Sequence, residues 1–241
     1  MVYNWTEILR LSLFPPVCRL CLAPTGRNGA LCTACREELP WLTRACTGCA
    51  MPLPAETQAT RCPRCQKTPP PLDRCQALFG YMAPVDQWIQ QMKFRQDLAA
   101  AHLLGELLAQ QAPVYDRNRP VNLLPVPLHP GRLRARGYNQ SLEIARPLAR
   151  RGYPLTPAVC RKHRATAAQS DLPARQRRRN VRGAFSVTGP VQGQHFLLLD
   201  DVLTTGATLN ELARTLKNAG AKRVEARVIA RTVSRENGSN G

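Results

Sequence analysis

Four Cys-x-x-Cys pairs crowd into residues 18 to 65, at Cys18/Cys21, Cys32/Cys35, Cys46/Cys49 and Cys62/Cys65, separated by ten, ten and twelve residues. Two thiolates three positions apart can grip one tetrahedral ion, and eight thiolates complete two four-sulfur sites with no position left open for water. Two structural Zn2+ ions are therefore expected. Any single Cys-x-x-Cys can also be a redox centre, but four in tandem speak against that role. Joining the first pair to the second and the third to the fourth closes the shorter loops, so sequential pairing is expected over a cross-braced arrangement. Cys75 and Cys160 fall outside the pattern and read as ordinary buried or unpaired thiols.

A proline run, TPPPL at 68 to 72, follows the last pair and offers little to a helix or a central strand. The chain of 241 residues, 44% apolar, is long enough for one α/β core and one small appended module. The expected layout is a zinc-binding module over 1–67, with a short N-terminal helix, a linker over 68–75, a larger domain over 76–233 and a disordered tail over 234–241.

In the larger domain, Trp88, Ile89, Met92, Leu98, Leu103, Leu104, Leu107 and Leu108 recur at helical spacing. VNLLPVPL at 121 to 128 reads as a strand that Pro125 and Pro127 confine to an edge or to its own end. A helix from about Ser141 is expected to kink or stop early at Pro147, which lacks the N–H a helix needs. HFLLLDD then reads as a short apolar strand, VLTTGA as a small-residue loop, TLNELARTLKNAG as an amphipathic helix stopped by Gly220, and RVEARVIA as a second strand. This is a βαβ unit, which implies a parallel sheet with ligands beyond the carboxyl ends of its strands.

At that end the residue types suit a phosphorylated sugar. Asp200 and Asp201, expected where the strand ends, can accept from the neighbouring hydroxyls of a ribose diol. Thr204, Thr205 and Thr208 offer hydroxyls, Gly206 permits backbone angles closed to other residues, and the start of the next helix presents unpaired N–H groups to a phosphate. The alternative is a strand whose two acids cap a helix or bind magnesium; no Walker lysine follows, so a P-loop is excluded.

LLLDDVLTTGAT resembles the PRPP-binding motif of type I phosphoribosyltransferases. That resemblance implies that Asp200 and Asp201 hold the ribose 2′ and 3′ hydroxyls while Thr204, Thr205, Gly206, Ala207 and Thr208 cradle the 5′-phosphate. With the cysteine module, two further segments resemble the ComF/GntX family of competence and DNA-utilisation proteins. PVPLHPGRLRARGYNQS, with Arg132 and Arg136, is similar to the family's strand and loop facing pyrophosphate. ATAAQSDLPARQRRRNVRGAF, with Gln169 and Arg175, is similar to its flexible loop. KFRQD at 93 to 97 departs at Gln96, where the family usually has glycine, so Lys93 and Arg95 read as helix caps rather than ligand contacts. The implied fold is α/β: a parallel-sheet, type I phosphoribosyltransferase-like domain preceded by a small zinc-ribbon module. The implied ligand is PRPP, accompanied by Mg2+, or a ribose 5-phosphate group.

Charge adds a second theme. Lysine plus arginine number 34 against 16 acids, for a net +18, and Gly131 to Phe185 alone carries fourteen cations against Glu143 and Asp171. PRPP holds roughly five negative charges, of which magnesium would cancel two, so the stretch is more cationic than that ligand requires. Either many of the cations are merely solvated, or the face also meets single-stranded DNA or an acidic partner, with Arg177, Arg178 and Arg179 as the nucleic-acid candidates. With aromatics at 5%, such binding would follow the phosphate backbone rather than the bases. The N-terminal apolar run contains Glu7 and Arg10 and does not read as a secretory signal, and no run approaches a membrane span. A cytoplasmic protein is expected. Two functions fit: a PRPP-binding protein of DNA uptake that docks a partner protein through its zinc module, or an active phosphoribosyltransferase whose acceptor the sequence does not name.

Overall fold

The computed structural model describes residues 16–25, 29–165 and 181–233. The expected N-terminal helix and C-terminal tail lie outside them, as do Gln169, Arg175, Arg177, Arg178 and Arg179. The chain divides into two compact units, Met1–Pro40 and Trp41–Gly241. The second set of four cysteines therefore belongs to the same unit as the sheet, and the division does not coincide with the proline run at 68 to 72.

The first unit is organised around its cysteines. An antiparallel bridge joins Val17 to Pro24, and a single-turn helix α1 (Thr33–Glu37) follows Cys32, whose sulfur accepts from the Cys35 N–H at 3.5 Å. The second unit repeats the plan, with a bridge between Ala45 and Pro52 and helix α2 (Pro63–Lys67) after Cys62.

Beyond α2, strand β1 (Arg74–Gly80) leads into helices α3 (Val85–Phe94) and α4 (Leu98–Gln110), then strand β2 (Asn122–Pro125). Helices α5 (Pro130–Arg136) and α6 (Gln140–Arg150) follow, then short strands β3 (Cys160–Lys162) and β4 (Phe185–Val187), strand β5 (His195–Leu203), helix α7 (Ala207–Asn218) and strand β6 (Arg223–Arg231). The main sheet is parallel throughout, in the order β1-β6-β5-β2. β2 stands at an edge, where Pro125 costs no ladder bond. β3 and β4 form a separate antiparallel pair flanking the segment expected to be a flexible loop.

Alternation along β5 sorts its side chains. Phe196 and Leu198 join Leu209, Leu212 and Leu216 of α7 and Val224, Ala226 and Val228 of β6 in one buried cluster. The opposite face, with Leu197 and Leu199, is left to α6, which packs on β5 and β2 and is backed by α4. The early stop expected at Pro147 does not occur, and α6 runs on to Arg150. Gly105 of α4 makes room for it: a Cβ there would lie 2.7 Å from the Ile144 carbonyl oxygen and 2.9 Å from Pro147 Cγ.

Helices leave β2 and β5 towards opposite faces of the sheet, so the crevice between these two strands is the topological switch point where open α/β sheets place ligands.

Candidate functional site

Asp200 and Asp201 sit at that crevice. β2 ends at Pro125 opposite Leu199, and its chain turns away after the Val126 N–H donates to Leu199 O at 2.9 Å. Contrary to expectation, β5 does not end at the acids. β6 continues to pair alongside it, with Asp200 opposite Val228 and Leu203 opposite Arg231, and this ladder carries β5 two residues beyond Asp201. The carboxylates are thus held by a neighbour on one side and open on the other.

Their partners leave acceptor capacity unused. Asp200 Oδ1 accepts from Ser141 Oγ at 3.0 Å and from the Asp201 N–H at 3.0 Å. Asp201 Oδ1 accepts from the Val202 N–H at 2.6 Å and pairs with Lys93 Nζ at 2.9 Å. Asp201 Oδ2 is buried without a hydrogen-bond partner among the described residues, in a side chain only 5% exposed. Burial, then the charge of Asp201, pushes the Asp200 carboxyl up to about 7, against the opposing pull of Lys93, the Asp201 N–H and Ser141. Two carboxyls this close, one with an empty acceptor face, are suited to receive a pair of hydroxyl donors.

The loop after β5 is short. Thr204 and Thr205 lead to Gly206 in the left-handed region at φ 76°, a conformation that favours glycine, and α7 begins at the next residue. Among the described residues no side chain caps α7, and the nearest substitute is Thr205 Oγ1, which accepts from the Ala207 N–H at a long 3.4 Å. An uncapped helix start flanked by Thr204, Thr205 and Thr208 presents donors and a partial positive charge to an anion.

Cations surround the acids. Lys93, expected to cap α3, instead reaches Asp201, so the helix end serves the crevice. Arg136 donates to Gln140 Oε1 at 2.6 Å; burial lowers its pKa and the nearby Asp201 charge raises it. Lys162 is buried over the Phe185 ring at 5.6 Å, its pKa lowered first by burial and then by Arg132, and raised by Asp200. Arg136, Lys93 and Lys162 thus converge on the two aspartates from three elements, α5, α3 and β3, and Arg132 lies near Arg136 and Lys162. Ser141 and Lys162 were not singled out from the sequence. The hint of Ser141 is its place at the start of α6, where Asn139 caps the helix through the Ser141 N–H at 3.0 Å and ties it to Val126 O at 3.1 Å. For Lys162, three residues of strand give too short a pattern to mark an inward-facing cation.

The cysteines fall into two groups, Cys18, Cys21, Cys32, Cys35 and Cys46, Cys49, Cys62, Cys65, each with its sulfurs within 4.8 Å of one another. The pairing is sequential, as the loop lengths suggest. A tetrahedral zinc site with bonds near 2.3 Å requires sulfurs about 3.8 Å apart. Cys21 and Cys32 stand at 3.7 Å, as do Cys49 and Cys62. Burial raises the Cys18 and Cys46 thiols, but backbone N–H groups outweigh it and bring them to about 6 and about 7. Both groups fit zinc, each closed by four sulfurs. Cys75 and Cys160 lie apart from the two groups, their thiols pushed up to about 12, chiefly by burial.

A double zinc ribbon domain model matches residues 9–77 and a phosphoribosyl transferase domain model matches residues 139–239. Among solved structures, a hypoxanthine-guanine phosphoribosyltransferase from Bacillus anthracis aligns over 60% of this chain and 76% of its own, at 12% identity and a TM-score of 0.38. Competence protein F of Haemophilus influenzae is 30% identical over 86% of this chain and 92% of its own length. The DNA utilization protein YhgH of Salmonella typhimurium is 35% identical over 91% of this chain and 98% of its own. A relative this similar across nearly both lengths, with zinc-ribbon and phosphoribosyltransferase models matched in that order, means that the chain belongs to the ComF family.

Proposed function

We propose that the chain binds PRPP or a ribose 5-phosphate group at the β2–β5 crevice and that this binding serves DNA uptake or the use of external DNA in the cytoplasm. The observation that carries the reading is the unpartnered, buried Asp201 Oδ2 beside Asp200, above an uncapped helix start. In this reading Asp200 and Asp201 accept from the ribose 2′ and 3′ hydroxyls. The N–H groups at the start of α7 and the hydroxyls of Thr204, Thr205 and Thr208 hold the 5′-phosphate, with Gly206 and Ala207 shaping the loop. Arg132, Arg136 and Lys162 face a diphosphate on the other side of the sugar, and Mg2+ bound with the ligand would offset part of its charge.

The convergence of these cations also favours a second reading, an active phosphoribosyltransferase. Transfer at ribose C1 needs little from side chains beyond positioning and stabilisation of the departing pyrophosphate. In this reading Gln169 and Arg175 would contact the diphosphate, Arg177, Arg178 and Arg179 would bind single-stranded DNA, and the zinc ribbons would dock a DNA-uptake partner. The biological setting follows from the names of the relatives, competence protein F and DNA utilization protein.

The test is calorimetry with PRPP and ribose 5-phosphate near physiological salt with magnesium present, on wild type, Asp200→Asn and Asp201→Asn. Each change removes charge and an acceptor site but keeps the shape, and a hydrogen bond to a charged group contributes roughly 1.5 to 3 kcal/mol, so affinity is expected to fall about 10- to 150-fold. Wild type that ignores both ligands at millimolar concentration, or Asn variants that bind as wild type does, would remove the assignment. Release of pyrophosphate in the presence of candidate acceptors separates catalysis from binding.

A further inference from the structure

One buried cation stands outside the ring around the aspartates. Arg231 closes β6, is 8% exposed, and has no carboxylate partner among the described residues. Its Nε and Nη1 donors go to backbone carbonyls from three segments of the chain. Nε donates to Cys49 O at 3.0 Å, within the second set of four cysteines. Nη1 lies 2.8 Å from Leu203 O, 2.5 Å from Thr204 O and 2.7 Å from Thr232 O. Leu203 and Thr204 open the loop that leads into α7. One rigid planar fork therefore spans a metal-binding loop and the loop proposed to hold phosphate.

The consequence follows from peptide geometry. In a trans peptide the C=O of one residue and the N–H of the next point in opposite directions across one plane. Drawing the carbonyls of Leu203 and Thr204 to the guanidinium turns the N–H groups of Thr204 and Thr205 away from it. Among the described residues none supplies an acceptor to either N–H. They are left as a pair of aimed donors beside the uncapped helix start. The Cys49 carbonyl is fixed in its turn by the sulfur it sits beside, because Cys49 belongs to the group whose geometry fits a metal ion.

We propose that Arg231 is a positioning residue that orients the Thr204 and Thr205 amides towards an anion, and that metal in the second tetracysteine group holds Arg231 in place to do so. The zinc ribbon that shares a unit with the sheet is thereby part of the anion site's rigidity, in addition to any partner it docks. This rests on the ribose-phosphate reading for the identity of the anion, but not for the link itself.

The experiment is amide hydrogen exchange on the full, zinc-loaded chain with saturating inorganic phosphate, whose oxygens would accept from and so protect the Thr204 and Thr205 amides, comparing wild type with Arg231→Lys and following inorganic phosphate and PRPP affinity in parallel. A lysine keeps the charge but its single ammonium cannot span Cys49 O and the two loop carbonyls at once. The expected result is at least tenfold faster exchange at Thr204 and Thr205 and at least tenfold weaker PRPP and phosphate binding. Exchange within the β5–β6 ladder and the zinc content should stay as in wild type. A merely structural role would speed the ladder and the loop alike. Unchanged loop exchange and unchanged affinity in Arg231→Lys overturn the proposal, as does acceleration shared equally by the whole sheet. Should the variant fail to fold, metal removal from wild type by a chelator supplies the second arm: the Thr204 and Thr205 amides should speed up before the ladder does, and loop amides indifferent to the metal overturn the link. If loop exchange responds but wild type binds no PRPP, the ribose-phosphate reading falls and the link stands; if wild type binds PRPP and the loop does not respond, the link falls alone.

Discussion

Replacing Lys93 with methionine isolates the electrostatics of the crevice. Asp201 is nearly enclosed, one of its oxygens lacks a hydrogen-bond partner among the described residues, and Lys93 Nζ stands 2.9 Å from the other. Removing one partner of a buried pair leaves an uncompensated charge, at a typical cost of about 3 to 5 kcal/mol. Lys93 is 23% exposed, however, so water can enter where its ammonium was, and the expected loss for Lys93→Met is about 2 to 3 kcal/mol. Asp201→Asn should cost less, about 1 kcal/mol, because the lysine left behind can turn to solvent. In the double variant both charges are gone, so the two losses should fail to add by about 2 kcal/mol. Urea unfolding of the four proteins at fixed pH and salt measures this cycle. If Lys93→Met costs under about 0.5 kcal/mol, or costs the same with and without the Asp201 carboxylate, then the pair does not stabilise the crevice and the reasoning fails.

Two further outcomes test other parts of the fold. Asp200 is pushed up to about 7 from the usual carboxyl value near 3.8, so between those pH values the folded chain holds a proton that the unfolded chain releases, and stability falls as pH rises through the window. Asp200→Asn removes this dependence: melting temperatures should show the variant gaining on wild type from pH 4 to pH 8, and parallel curves would refute it. Gly105→Ala forces a methyl group to 2.7 Å from the Ile144 carbonyl, and this crowding should outweigh the better helix propensity of alanine for a net loss of about 1 to 2 kcal/mol in urea, whereas a neutral result would mean that α4 and α6 can part.

What was legible in the sequence was local. Cysteine spacing specifies both groups and their pairing, because each site is built from two nearby turns. The βαβ unit is readable because its apolar runs and its glycines are consecutive. The end of β5 was not, since it depends on how far β6, more than twenty residues later, continues to pair beside it. Lys93 was read as a cap for a related reason: nothing near it in sequence carries the Asp201 charge it meets. Gln96 shows the converse. Its φ of 54° lies in the left-handed region, which explains why glycine is favoured there, and glutamine adopts that angle at some cost without diverting Lys93 from the acid.

The strand order has a consequence for the way the chain folds during synthesis. β6 is the last described strand, yet it lies inside the sheet, between β1 and β5. β1, made first, finds its partner only across a separation of 151 residues, as between Gln76 and Arg227. Until β6 leaves the ribosome, β1 has no neighbour in the sheet and β5 has an exposed inner edge, so closure is late, non-local and slow. The cysteine groups are complete long before that. Metal capture can therefore give the nascent chain a fixed point while its apolar strands wait, and shortening the chain ahead of β6 should release an aggregating product rather than a smaller domain.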